Sequence, residues 1–161
     1  MKLEILIIIC VFLLGFFSCY VFNQIDNSYE IPVLKNIGFG NFDLEAPSDF
    51  VSEENIEVLD DRVIIYLDDA SLSRYAPSGS MVPVFNEGAN GIRVRVGSVD
   101  EINVGDIITF KEGDLLIVHR VIEKGVDSKG IYFITKGDNN NIDDGKVRFE
   151  DIKYKTVGVI W

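Results

Sequence analysis

The chain has 161 residues, of which 47% are hydrophobic and 11% aromatic, and its formal net charge is -11 at pH 7. A chain of this length and composition can fold around one hydrophobic core. Proteins that bind nucleic acid need clustered Lys and Arg to neutralise phosphates. The acidic balance therefore argues against nucleic acid as a partner.

Metal and disulfide chemistry have few candidate residues in this sequence. The only two cysteines, Cys10 and Cys19, both lie in an apolar N-terminal run, so they cannot form a disulfide framework for the rest of the chain. With His119 as the single histidine, a zinc site would have to consist almost entirely of carboxylates, which is uncommon for zinc. We therefore expect chemistry that uses neither a metal nor a cofactor.

The first predicted element is an uncharged run from Ile5 to Phe22. At about 1.5 Å per residue, about 18 helical residues extend about 27 Å, close to the thickness of a bilayer core. A cleaved signal peptide usually has a shorter apolar stretch that ends in small residues, whereas large aromatic residues continue here to Phe22. Residues 1–23 are thus predicted to form a retained membrane anchor in contact with lipid, with a lipidated Cys19 as the alternative.

The charges beside this run predict the orientation of the anchor. Lys2 precedes the run, while Asp26 and Glu30 follow it. Because positive charge favours the cytoplasmic side of a membrane, we expect a single-pass protein of the cell membrane with its main domain outside the cytoplasm.

Residues 24–75 are predicted to form an acidic linker and a β-hairpin insert. They contain 12 acidic side chains and only three basic ones. Pro, Gly and Asn in residues 23–49 are typical of irregular chain, and two β-prone runs then flank Asp60-Asp61, which predicts a hairpin turn. We expect this segment to pack beside the following domain without completing its active site, and the sequence leaves open whether it also binds a partner.

The rest of the chain, residues 76–161, is predicted to be a β-domain. Short apolar or alternating stretches are separated by Gly, Asp, Asn and Ser, which is the pattern of antiparallel strands joined by turns. Turns are expected at residues 112–114 and 127–130. The predicted strands are IRVRV, DIITF, LLIVHRVI, IYFIT and TVGVIW.

Within this domain, three polar segments supply the residue types of a serine hydrolase. Ser80 lies in a Gly- and Pro-flanked loop, His119 lies in a predicted strand, and a run of Asn and Asp follows Lys136. A serine hydroxyl becomes an effective nucleophile when a neighbouring base accepts its proton. An imidazole is the usual base at neutral pH, and a carboxylate can fix its orientation. By themselves these residues are more typical of a turn serine, a strand histidine and a solvated loop than of a catalytic site.

The segments also occur in the order and spacing of a known family. Together they resemble the sequence boxes of type I signal peptidases, in the branch found in archaea and the endoplasmic reticulum. That pattern contains SGSM-x-P, a strand led by GD, HRV, and KGDNN followed by two aspartates. The matching residues are 78–83, 105–110, 119–121, 136–140 and 143–144.

The resemblance implies a role for five residues. Ser80 would attack the scissile carbonyl and His119 would take its proton. Asp144 would orient His119, with Asp138 as a second acid near the site, although the sequence leaves open which acid of this segment does so. The Ser80 backbone N–H and the Ser78 hydroxyl would form the oxyanion hole. The implied fold is the signal-peptidase β-fold after a single transmembrane helix.

The implied function is that of a membrane-bound serine endopeptidase that removes signal peptides from exported preproteins through an acyl-enzyme. Two departures from the family pattern are visible. Val82 stands where an acidic residue is common, and about 57 residues separate Phe22 from Ser80. Two alternatives remain: a self-cleaving repressor-type protease with a Ser/Lys pair, and a non-catalytic membrane-tethered scaffold. Lys136 lies in a different box from His119, so the resemblance does not make it the base.

Overall fold

The computed structural model of the chain describes residue 12 and residues 44–161. Residues 44–161 lie in the second of two units into which the chain divides, Phe42–Trp161. The predicted anchor at residues 1–23 lies outside the described residues apart from residue 12, and so does the first part of the predicted linker. Within the described part of the chain, no helix is long and apolar enough to cross a membrane.

The described unit consists mainly of antiparallel strands, which confirms the predicted β class. Three short 3-10 helices interrupt the strands, at Glu53–Asn55, Val99–Glu101 and Phe149–Asp151. The strands are β1 (Ile56–Val58), β2 (Val63–Ile65), β3 (Ala70–Arg74), β4 (Asn90–Val94), β5 (Ile107–Glu112), β6 (Leu115–Asp127), β7 (Gly130–Lys136), β8 (Lys146–Val147) and β9 (Ile152–Ile160).

The strands form two sheets. Strands β1 and β2 pair with Val58 opposite Val63, so the hairpin predicted around Asp60-Asp61 is confirmed. The other seven strands form one sheet in the order β3-β4-β9-β5-β6-β7-β8. The predicted turns between β5 and β6 and between β6 and β7 are also confirmed.

Strand β6 is longer than the sequence predicts because it pairs with two partners in turn. Its first half pairs with β5 as far as Arg120, and the rest pairs with β7 across a register shift between Val121 and Glu123. The run after Ile122 is polar and contains Gly125, a composition with weak β preference. Pairing with β7 makes this part extended, as tertiary context often does for strands.

Two groups of buried apolar side chains hold the large sheet. One group fills the centre of the unit and consists of Ile102, Ile108, Phe110, Val121, Phe133, Val147 and Ile152. The other lies below the loop that carries Ser80 and consists of Tyr75, Met81, Phe85, Ala89 and Ile107. Tyr75 and Phe85 stack in this second group with ring centroids 4.0 Å apart, so it forms a firm support for that loop.

A buried ion pair ties residues 45–50 to the sheet. Lys155 Nζ lies 2.8 Å from Asp106 Oδ2, and the two side chains are 2% and 0% exposed. Ser48 joins both ions, since its N–H and Oγ donate to Asp106 Oδ1 and its Oγ accepts from Lys155 Nζ, each at 2.8 Å. Burial raises the pKa of Asp106, but the bonds from Lys155, Asn103 and Ser48 outweigh burial and lower it.

Replacing Asp106 by asparagine is expected to lower the free energy of unfolding by about 3 kcal/mol at pH 7, because Lys155 would remain buried and charged without its partner. The folded-state pKa of Asp106 lies below its ordinary value of 3.8, so the unfolded chain takes up the proton first as pH falls. The stabilisation is therefore present in full above about pH 5, begins to decrease below about pH 4, and is lost as pH falls through the folded-state pKa. Urea unfolding of wild type and Asp106→Asn at pH 7 and pH 3.5 measures this difference, and an equal difference at both pH values would contradict the assignment.

Candidate active site

The loop between β3 and β4 carries Ser80 in a fixed conformation. Gly79 has φ +69°, a left-handed value that side chains other than glycine rarely adopt. The N–H of Asn139 donates to the Ser80 carbonyl at 2.8 Å, and its side-chain amide donates to the Gly79 carbonyl at 3.2 Å. Met81 is 2% exposed in the apolar support below. Ser80 is thus held between a buried neighbour and the loop after β7.

The contact between these two loops explains the glycine in the Lys-Gly-Asp sequence. A Cβ at Gly137 would lie 2.7 Å from the Ser80 carbonyl oxygen and 2.8 Å from the Asn140 side-chain nitrogen. Real Cβ atoms essentially never come this close to backbone. Glycine is therefore required at position 137 for the second loop to reach the first.

His119 lies in the middle of β6 and is 7% exposed. Its Nδ1 lies 2.7 Å from Asp144 Oδ2, a hydrogen bond in which the ring donates to the carboxylate. Thr135 holds the acid twice: its hydroxyl donates to the same Asp144 oxygen at 2.7 Å, and its carbonyl accepts from the Asp144 N–H at 2.8 Å. Such a carboxylate fixes the ring so that Nε2 can accept a proton.

Ser80 and His119 line the same cavity, which has a volume of about 470 Å³. Among the hydrogen bonds of the described residues, none joins the two side chains directly. Bonds of this kind are often long in the absence of substrate and shorten when it binds. Ser80, the candidate nucleophile, and His119, the candidate base oriented by Asp144, therefore lie on the wall of one cavity.

Ser78 and Ser80 also lie side by side. Their hydroxyl oxygens are 3.1 Å apart, and the Ser80 N–H points to Ser78 Oγ at 3.4 Å. The second contact is long for a hydrogen bond. The Ser80 N–H and the Ser78 hydroxyl, the two groups predicted to form the oxyanion hole, are thus adjacent, and the hydrogen bond between them is weak.

Asp138 pairs with Arg120, and among the described residues it makes no hydrogen bond or ion pair with His119. Its two carboxylate oxygens accept from Arg120 Nε and Nη2 at 2.8 Å each, and the Asp138 side chain is fully buried. Arg120 Nη1 also donates to the carbonyls of Gly105 and Glu45. Bidentate pairs of this kind fix geometry, so Asp138 anchors the start of the loop that carries Asp144.

The structure also gives the positions of the other candidate acid and base. Asp143 is exposed and accepts a hydrogen bond from the Gly145 N–H at 2.9 Å. Lys136 lies opposite Arg120 in the pairing of β6 and β7 and does not line the cavity. Within residues 44–161, no three His, Cys, Asp or Glu side chains are grouped closely enough to hold a metal ion.

The expectation that residues 24–75 stay outside the site does not hold for the end of this segment. Strand β3 is the edge of the large sheet, and Ser73, Arg74 and Tyr75 line the cavity. The sequence does not predict β3, because ASLSR has little apolar character. Thr135 carries no signal of its own either, because a threonine in a strand is an ordinary core residue unless its acid partner is known.

Comparison with known proteins identifies relatives of the part of the chain that carries this site. The chain is 34% identical over 83 residues to signal peptidase I W of Bacillus subtilis, a match that covers 50% of this chain and 44% of that protein. It is 47% identical over 70 residues to the human signal peptidase complex catalytic subunit SEC11C, covering 42% and 36% of the two chains. The relatives support the signal peptidase family.

The SEC11 catalytic subunit of Chaetomium globosum gives a similar result, with 42% identity over 72 residues that cover 42% of this chain and 40% of that subunit. No protein-family model matches the chain. The chain thus spans less than half the length of these signal peptidase relatives, and their similarity supports a peptidase at the level of general class.

Proposed function

We propose that the chain is a membrane-bound serine endopeptidase that cleaves signal peptides from exported preproteins. The observation that carries the proposal is the His119–Asp144 hydrogen bond of 2.7 Å on the wall of a cavity that Ser80 also lines. The named signal peptidase relatives support the same class of reaction.

The proposed reaction begins with attack by Ser80. Its O–H bond breaks as Oγ bonds to the scissile carbonyl carbon, and His119 Nε2 takes the proton. The carbonyl electron pair moves to the oxygen, where the Ser80 N–H and the Ser78 hydroxyl can donate to it. Charge on this oxygen develops only in the transition state, so donors placed for it accelerate the reaction.

The second half of the proposed reaction returns the enzyme to its starting state. His119 gives its proton to the departing amine as the C–N bond breaks, which leaves an acyl group on Ser80. A water then attacks the ester carbon as His119 takes one of its protons. The bond from this carbon to Ser80 Oγ breaks, His119 returns the proton to Oγ, and the peptide leaves as a carboxylic acid. Asp144 holds the ring and stabilises its positive charge while the proton is on it.

The membrane anchor at residues 1–23 and an extracytoplasmic catalytic domain belong to the same proposal. A tethered protease searches only the membrane surface, which raises the effective concentration of a substrate that is held there by its signal sequence. The preprotein is the proposed substrate partner, and lipid contacts the anchor.

The test is cleavage of a preprotein by the full chain in detergent or lipid. We expect a single cut at the end of the signal peptide and, after rapid acid quenching, an acyl adduct whose mass maps to Ser80. Ser80→Ala should give neither the cut nor the adduct. Cleavage that persists in folded Ser80→Ala, or an adduct on a different residue, would contradict the proposal.

A further inference from the structure

The charge of the cavity is opposite to that of the chain. The formal net charge of the protein is -11, yet the charged residues that line the cavity are Arg74 and Arg93, and no Asp or Glu lines it. A cleft with one sign of charge concentrates ligands of the other sign. The lining therefore favours a negatively charged group in the bound molecule.

Arg93 is held in a position to bind such a group. It lies in β4, its Nε donates to Ser71 Oγ at 3.0 Å, and its guanidinium carbon lies 4.1 Å from the centre of the Tyr154 ring. These contacts use Nε and the flat face of the guanidinium. The two terminal nitrogens have no acceptor among the described residues, and they form the fork that matches a carboxylate.

Thr109 is a second unpaired donor beside the same tyrosine. Thr109 and Tyr154 are opposite each other in the pairing of β5 and β9, so their side chains share a face of the sheet. Thr109 is 1% exposed and lines the cavity, and its Oγ1 has no hydrogen-bond partner among the described residues. Buried polar atoms are nearly always paired, which indicates that a polar atom of a bound molecule or of water completes this wall.

We propose that Arg93, with Thr109 on the same wall of the cavity, binds the carboxylate of an Asp or Glu side chain in the substrate peptide. The proposal rests on the proposed function, since it takes the bound molecule to be the peptide that Ser80 attacks. It adds a substrate class: peptides with an acidic residue near the cleaved bond.

The experiment compares peptides that differ at one position. Each peptide is acetylated at its N-terminus and amidated at its C-terminus, so the peptides differ in charge only at the tested side chain. Glu, Gln or Lys is placed in turn at each position flanking the cleaved bond. At one position we expect wild type to have about fivefold higher kcat/KM for Glu than for Gln, the size of a partly exposed ion pair. Lys at that position should be the poorest substrate.

Variants locate the source of this preference. Arg93→Gln should bring the Glu-to-Gln ratio to about one. Arg95→Gln is the matched control, because Arg95 lies 5.9 Å from the same Tyr154 ring but does not line the cavity. It should keep the wild-type ratio.

A binding measurement separates failure of this inference from failure of the proposed function. Ser80→Ala is mixed with fluorescent versions of the same peptides, and anisotropy gives Kd without turnover. Suppose that the wild-type protein cleaves none of the peptides, while the Ser80→Ala protein binds the Glu peptide about fivefold more tightly than the Gln peptide. The acidic subsite is then supported and the endopeptidase assignment is contradicted. A Glu-to-Gln ratio of about one at every position of the wild-type protein would overturn the subsite. The same conclusion would follow if Arg93→Gln and Arg95→Gln lowered the ratio equally.

Discussion

Replacing either Ser80 or His119 by alanine is expected to lower kcat/KM for a signal-peptide substrate by about 10⁴-fold or more. Without Ser80 no acyl-enzyme forms, and without His119 nothing accepts the Ser80 proton. Because the two residues act in one step, the double variant should be about as slow as either single variant. Single-turnover assays on purified protein measure all three losses.

The pH dependence of kcat/KM identifies the base more directly. Only a neutral imidazole can accept the proton, so kcat/KM should fall towards acidic pH, where an imidazole is protonated. An unchanged Tm is the control for each variant, since His119 is buried and contacts the Phe110 ring at a centroid distance of 6.5 Å. If folded His119→Ala retains cleavage while Lys136→Ala abolishes it, the Ser/Lys mechanism replaces the one proposed here.

Most of the large sheet could be predicted from the sequence because its strands carry a local signal. Strands β5 and β7 are apolar runs bounded by turn residues, and these runs are found as strands at nearly the predicted positions. Strand β9 begins at Ile152, four residues before the predicted run, because its first residues alternate with lysines and become extended by pairing with β4 and β5. Strand β3 carries no such signal and becomes a strand by pairing with β4, which places Ser71 opposite Arg93 and Arg74 opposite Asn90. Its contribution to the cavity is a property of the sheet and is not visible in its own residues.

For the polar residues around the site as well, part of the arrangement can be predicted from the sequence and part depends on the fold. The sequence singles out Asp138 and Asp144 as acids close together in the chain, but it does not say which one faces the histidine. That depends on Arg120, the residue after His119, which points to the opposite side of β6 and binds Asp138. Alternation along a strand thus distributes the two acids, one to His119 and one to Arg120. The pairing becomes evident only when both strands and the loop are in place.

Replacing Asp144 by asparagine is expected to lower kcat by about 10³- to 10⁴-fold while the fold is retained, as expected when the acid of a serine-hydrolase triad is neutralised. The asparagine side chain has a similar size, but it carries no charge to stabilise the protonated ring. Its amide can also face the ring with a donor where the Nδ1–H needs an acceptor. Steady-state kinetics with a Tm measurement tests this, and KM should change much less than kcat because Asp144 does not line the cavity.

Asp143→Asn is the matched control for this prediction. It removes the same charge one residue away, from an exposed side chain that accepts only the Gly145 N–H, so wild-type kcat is expected. Equal losses in the two variants would mean that local charge matters and that orientation of the ring does not.

Thr135 provides a graded test of the same idea. Its hydroxyl donates to the Asp144 oxygen that also accepts from His119, so it is a positioning residue that acts through the acid. Thr135→Val keeps the shape of the side chain and removes that bond, and we expect kcat to fall about tenfold with KM unchanged, because a bond to a charged group contributes at least about 1.5 kcal/mol. Thr135→Ser should restore most of the activity because it returns the hydroxyl. If Thr135→Ser is as slow as Thr135→Val, the loss comes from packing of the buried methyl group and the hydroxyl does not position Asp144.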